Sequence, residues 1–165
     1  MNEWHDFFLA QAAATGTLTG LVFVGVSINL QTIVSDPRSG LAGRSGEALI
    51  LLVAVLTVSV LLLVPGQGPG IIGAEILAVG LVSWGWVVAI QLPRLRSWGA
   101  MRPELRGPFV SRVALGQIAT LPLIAAGAAV LSMGLGGLYG LVAGTVFSIL
   151  AALCDAWVLL IEINR

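Results

Sequence analysis

The sequence predicts an all-α membrane protein, a single bundle of about five transmembrane helices over residues 1–165. Three observations predict it. The chain is 58% hydrophobic and 10% charged, whereas a soluble domain carries roughly 25% charged residues because its surface must meet water. Mean hydropathy is +1.01. The apolar residues also fall into long continuous runs, and about 20 such residues cross a hydrocarbon layer as a helix. A β-barrel would need short alternating segments instead.

The first run is about Phe8 to Val34. Glu3, His5 and Asp6 precede it, so it lacks the basic start of a cleavable signal peptide. Trp4, Phe7 and Phe8 suit an outer interfacial anchor. At about 100° per residue, Gly16, Gly20 and Ser27 fall on one side of this helix, and Gln11, Thr15, Gly25 and Asn29 roughly opposite. Small residues on one side and amides on the other predict protein neighbours on both, with Gly16 and Gly20 packing inside the molecule and a dimer contact as the alternative. The polar stretch from Ser35 to Gly40, with Pro37, ends the helix.

The second run is about Glu47 to Val64, uncharged after Glu47. Glu47 is expected at the inner boundary, solvated there or paired with Arg44. A hairpin from Pro65 to Gly70 leads to the third run, about Ile71 to Leu92. Glu75 lies about one turn inside it, at a depth that predicts a hydrogen bond to Gln11, with an outer ion site as the alternative. Trp84 and Trp86 sit near mid-membrane, where each indole N–H needs an acceptor. The loop from Pro93 to Pro108 holds four Arg and three Pro, and its Trp98 suits an inner anchor.

The fourth run, about Phe109 to Met133, carries Arg112 near its inner end, Gln117 further in, and Pro122, which should kink it. Gly134 to Gly137 is the softest break. The fifth run is about Leu138 to Ile163, and Gly137, Gly144, Ser148, Asp155 and Glu162 share one narrow face of it. That face points into protein or a wet cavity. Asp155 lies about 12 Å from the inner end, at 1.5 Å per residue. A charge at that depth costs several kcal/mol unless paired, protonated or hydrated. Arg112 is its expected partner, as a structural salt bridge; a proton or cation site is the functional alternative. Glu162 is expected at the inner boundary, like Glu47.

All eight basic residues are Arg, a bias that a GC-rich bacterial genome would produce. With five spans, Arg38, Arg44, Arg94, Arg96, Arg102, Arg106, Arg112 and Arg165 all fall on one side. Cytoplasmic loops collect such residues. The expected orientation in a bacterial cytoplasmic membrane is therefore N-terminus out, C-terminus in.

Two segments, Trp4-His5-Asp6-Phe7-Phe8 and Thr19-Gly20-Leu21-Val22-Phe23-Val24-Gly25-Val26-Ser27-Ile28-Asn29-Leu30, together resemble the opening of small bacterial multi-pass membrane proteins that have no assigned activity. The resemblance covers the first two spans and implies no cofactor and no site residues.

Zero net charge leaves no basic surface for nucleic acid. Cys154, the single cysteine, reads as a buried small hydrophobe, and His5 is the single histidine, so neither a cysteine cluster nor a histidine metal site is expected. No serine has a base to activate it, and no phosphate-loop signature is present. The expectation is a non-enzymatic protein without cofactor or metal, with membrane lipids as its surroundings. It would act by assembly, as a homo-oligomer or with other membrane subunits. The alternative is a small oligomeric channel or ion pathway using Gln11, Glu75, Asn29, Gln117 and Asp155.

Overall fold

In a computed structural model that describes residues 2–35, 40–100 and 102–163, the apolar runs form helices, because backbone groups in lipid must be satisfied within the segment. The helices are α1 (Asn2–Ile28), α2 (Leu30–Ser35), α3 (Leu41–Leu62), α4 (Pro69–Arg96), α5 (Pro103–Met133) and α6 (Leu138–Ile163). Short 3₁₀ turns cover Trp98–Ala100 and Gly134–Gly137. Four stretches are long and apolar enough to cross a membrane: Trp4–Ile28, Leu41–Leu62, Pro69–Arg96 and Arg106–Ile161. The last, 56 residues long, is folded in two at Gly134–Gly137. Gly144 there packs on Leu123, Gly140 on Ala126 and Gly137 on Val130, the register of an antiparallel pair. The glycines at this softest break therefore make a turn, with Gly134 in the left-handed region at φ +72°.

Helices α3 to α6 form an up-down-up-down four-helix bundle: each packs on its neighbour in sequence, and α6 closes back on α3. Two apolar layers cross it. The layer near one end joins Val58, Leu62, Ile72, Ile76, Leu123, Val130 and Leu141 from all four helices, with Phe8 of α1. The other joins Leu51 and Leu52 of α3, Val87 of α4, Ala119 of α5, and Ala151 and Ala152 of α6. Helix α1 lies outside this bundle, packed on α3.

The α4–α5 pair packs backbone against backbone. A Cβ on Gly127 would meet the backbone nitrogen of Leu77 at 2.6 Å, and one on Gly73 that of Leu131 at 2.9 Å. These glycines let two backbones touch, as small residues do between helices in lipid.

Several expectations change here. Phe8 is 1% exposed and belongs to the core, with Trp4 stacked on it, so it is not an interfacial anchor. Cys154 is exposed, not buried. Helix α1 breaks at Asn29, whose side chain bonds back to the Gly25 carbonyl at 2.9 Å. Within the chain, α1 has neighbours on one side only: Gln11 and Thr15 are buried, Gly16 meets Leu56, and nothing lies within 4 Å of Gly20 or Gly25. Helix α5 continues as helix on both sides of Pro122, as a proline kink permits. Gly144, Ser148 and Asp155 of α6, with Gly137 of the turn before it, are all buried, while the Glu162 side chain lies outside the described residues.

Candidate functional site: an arginine–carboxylate cluster at one end of the bundle

The alternation of helices places the start of α3, the end of α4, the start of α5 and the end of α6 at the same end of the bundle. Arg44, Arg94, Arg96, Arg102, Arg106 and Arg112 gather there. Arg38 and Arg165 lie outside the described residues. In the 3₁₀ turn Trp98 lies under the Arg106 guanidinium, 5.5 Å from its ring centroid, and this cation–π contact suits an end where charge and aromatic residues meet headgroups.

Four charged side chains from three helices converge inside this end. Arg112 of α5 donates from Nε to Oε2 of Glu47 on α3 at 2.7 Å, with side chains 5% and 3% exposed. Arg44 of α3 donates from Nη1 to Oδ1 of Asp155 on α6 at 3.2 Å, with side chains 21% and 12% exposed. The first pair is dry and the second partly hydrated. Asp155 is thus paired, but with Arg44 rather than Arg112. Glu47 is not an interfacial residue and does not pair with Arg44; it holds Arg112. Both corrections have one cause: α3 begins at Leu41, not at Glu47, so Arg44 is a helical residue pointing at α6.

Two glycines, the N-cap of α3 and one in its first turn, make room for the arginines. Gly40, at φ +75°, abuts the Arg94 guanidinium, and a Cβ on Gly43 would lie 3.0 Å from Nη2 of Arg112. Three guanidinium groups from α3, α4 and α5 thus crowd two carboxylates. Between α3, α5 and α6 lies a cavity of about 250 Å³, lined by Arg44, Glu47, Ser111, Arg112, Cys154 and Asp155 among others. Oε1 of Glu47, Nη2 of Arg112 and Nε2 of the neighbouring Gln91 are buried without a hydrogen-bond partner among the described residues.

The other polar candidates are held elsewhere, each locally. Ser59 donates to Oε1 of Gln11 at 2.9 Å. Gln67 donates from Nε2 to both carboxylate oxygens of Glu75 at 3.0 Å. The expected Gln11–Glu75 bond therefore does not form: the hairpin before α4 folds over Glu75, and α3 supplies the partner of Gln11. Trp84 donates to Oε1 of Gln117 at 2.8 Å, which meets the demand of that indole. Trp86 is 59% exposed on the bundle's outer face. Ser148 reaches the Ala119 carbonyl across the α5–α6 seam at 2.8 Å. Sequence reasoning did not single out Gln91, Gly40 or Gly43. The three-residue spacing of Gly40, Gly43 and Gly46 along one face was the available signal.

Comparison with protein-family models, with curated proteins and with solved structures finds no match to the chain.

Proposed function

We propose that this chain is a non-enzymatic integral protein of a bacterial cytoplasmic membrane, oriented N-out and C-in, that acts by helix assembly. Its partner is a second copy of the chain or another membrane subunit. The observation that carries this reading is the half-covered first helix. One face of α1 packs on the bundle through Phe8, Gln11 and Thr15. The opposite face, with Ala13, Thr17, Gly20, Val24 and Ser27, is open along its length. The Thr17 and Ser27 hydroxyls on that face are satisfied by the Ala13 and Phe23 carbonyls of their own helix. An open helix face of small, self-satisfied residues costs little to bring against another helix in lipid, where association depends on close packing.

The arrangement of polar groups favours assembly over a conducting pathway. Gln11–Ser59, Glu75–Gln67, Trp84–Gln117 and the arginine–carboxylate cluster are separate, locally paired units. Apolar layers drawn from all four bundle helices lie between the cluster and the far end.

The test is disulfide cross-linking in native membranes, in a Cys154→Ala background, with single cysteines at Thr17, Gly20 or Val24 and a control at Val82 on α4. Cross-links at the α1 positions well above the control support the proposal, and the product's mass separates a second copy from another subunit. Cross-linking at α1 no greater than at Val82 contradicts it. A proton or ion flux in liposomes holding the purified chain would favour the channel instead.

A further inference from the structure

Helices α1 and α6 meet near the far end of the bundle and part toward the arginine end. At the start of α1, Trp4 packs edge-on to Tyr139 of α6, with ring centroids 5.0 Å apart, and Phe8 lies in the apolar layer with Leu138 and Leu141. Beyond these contacts α1 rests on α3, and a cleft of about 440 Å³ opens between α1 and α6. Leu18, Val22, Gly25 and Val26 form one wall of it, and Leu153 and Trp157 the other. After the break at Asn29, Ile33 of α2 packs on Leu41 and Leu159 and forms the back of the cleft at its arginine end. The two walls are therefore tied together at both ends, and the cleft cannot close by collapse. It opens sideways to lipid, since Leu21, Trp157 and Leu160 on its rim are 65%, 64% and 56% exposed.

Its dimensions favour one kind of occupant. From Leu18 to Asn29 the α1 wall is about 16 Å long at 1.5 Å per residue, close to the roughly 15 Å of hydrocarbon in one leaflet. Spread over that length, 440 Å³ gives about a third of the cross-section of a helix about 10 Å across. A helix from a second copy could lie over the mouth but not within the cleft, whereas a single extended hydrocarbon chain fits. The chemistry of the walls agrees. Among the described residues, those lining the cleft carry no charge, and Asn29 donates its amide to the Gly25 carbonyl. Gly25 has nothing within 4 Å of an added Cβ, so it leaves room at mid-length. An unfilled space there would forfeit the dispersion contacts of both walls.

We propose that the cleft between α1 and α6 holds one acyl chain of a phospholipid from the arginine-side leaflet, as a resident lipid. The chain enters sideways past Trp157 and lies along α1 from Asn29 to Leu18, with its headgroup at the arginine end. Recognition is by the chain, so the identity of the headgroup matters little.

The experiment is native mass spectrometry of the full chain released from nanodiscs of palmitoyl-oleoyl phosphatidylglycerol, or of the phosphatidylcholine with the same chains, after detergent washes that strip loosely held lipid. One phospholipid should remain on each chain with either lipid. Gly25→Phe fills the cleft from α1 and should lose that lipid, as should Leu153→Trp, which fills it from α6. Gly85→Phe, exposed on α4 with nothing within 4 Å of the added atom, should keep it. Delipidation should lower the unfolding temperature of the unaltered chain and leave that of Gly25→Phe unchanged. Retention by folded Gly25→Phe and Leu153→Trp, equal loss from Gly85→Phe, or release of every lipid from the unaltered chain would overturn the site. A retained molecule of another mass, or a lipid-free dimer that Gly25→Phe separates, would overturn the phospholipid in favour of that occupant.

Discussion

Glu47 and Arg112 are nearly as dry as the leucines around them, and their consequences follow from that. Removing one member of a buried pair leaves an uncompensated charge and costs about 3–5 kcal/mol. Glu47→Gln is therefore expected to lower the unfolding free energy in detergent by about that amount. The double change Glu47→Leu with Arg112→Met should recover most of it, since a hydrophobic pair of similar volume is often neutral or better. Arg44→Gln breaks the wetter pair and should cost less, because water reaches the Asp155 carboxylate left behind. Chemical unfolding of the variants checks the order; an Arg44→Gln loss as large as that of Glu47→Gln would contradict it. That Asp155 must be paired, protonated or hydrated was legible from its depth alone, and it is paired. Which arginine serves was not legible. Choosing Arg112 rested on nearness in sequence, and placing the helix start at Glu47 left Arg44 in a loop. The charges that marked a boundary in the sequence are tolerated inside the helix because they meet each other.

At the scale of helices, the α4–α5 seam is where geometry leaves least freedom. A Cβ on Gly127 would meet backbone and Cβ atoms of Leu77 between 2.6 and 2.9 Å, so no rotamer change relieves it. Gly127→Ala is expected to cost about 1–3 kcal/mol as the helices are forced apart. Gly85→Ala on α4, with nothing within 4 Å of the added atom, should be neutral or gain up to about 1 kcal/mol from helix propensity. Parallel thermal unfolding of both variants tests this, and equal behaviour would mean that the two helices do not meet on their glycines. The inward face of α6 was legible, because Gly137, Gly144 and Ser148 recur at helical spacing beside an acid. Gly73 and Gly80 repeat at the same seven-residue interval on α4, and both are buried in the seam. No charge accompanied them to draw attention. The five apolar runs were legible in order but not at every end: α3 and α5 begin earlier, at Leu41 and Pro103, and α1 breaks at Asn29, while α1, expected to pack on both sides, leaves one side uncovered within the chain.

For the whole molecule, the alternating bundle puts every described arginine at one end and the Gln67 hairpin at the other. With cytoplasmic arginines, a cysteine at Gln67 should label from outside intact cells and one at Ser97 should not, both in a Cys154→Ala background. Labelling of Ser97 alone would invert the orientation. The apolar outer surface, with Phe23 at 62%, Leu21 at 65% and Trp157 at 64% exposure, suits lipid contact around most of the bundle, and the small-residue face of α1 interrupts it. Assembly through that face is the central claim. Native mass spectrometry of the protein released from membrane nanodiscs tests it most directly. The expected result is a discrete dimer, higher multimer or stoichiometric complex with another membrane subunit, reduced to single chains when Gly20→Leu and Thr17→Leu place bulk on α1. Single chains from the unaltered protein, or assemblies that the α1 changes leave intact, would contradict it.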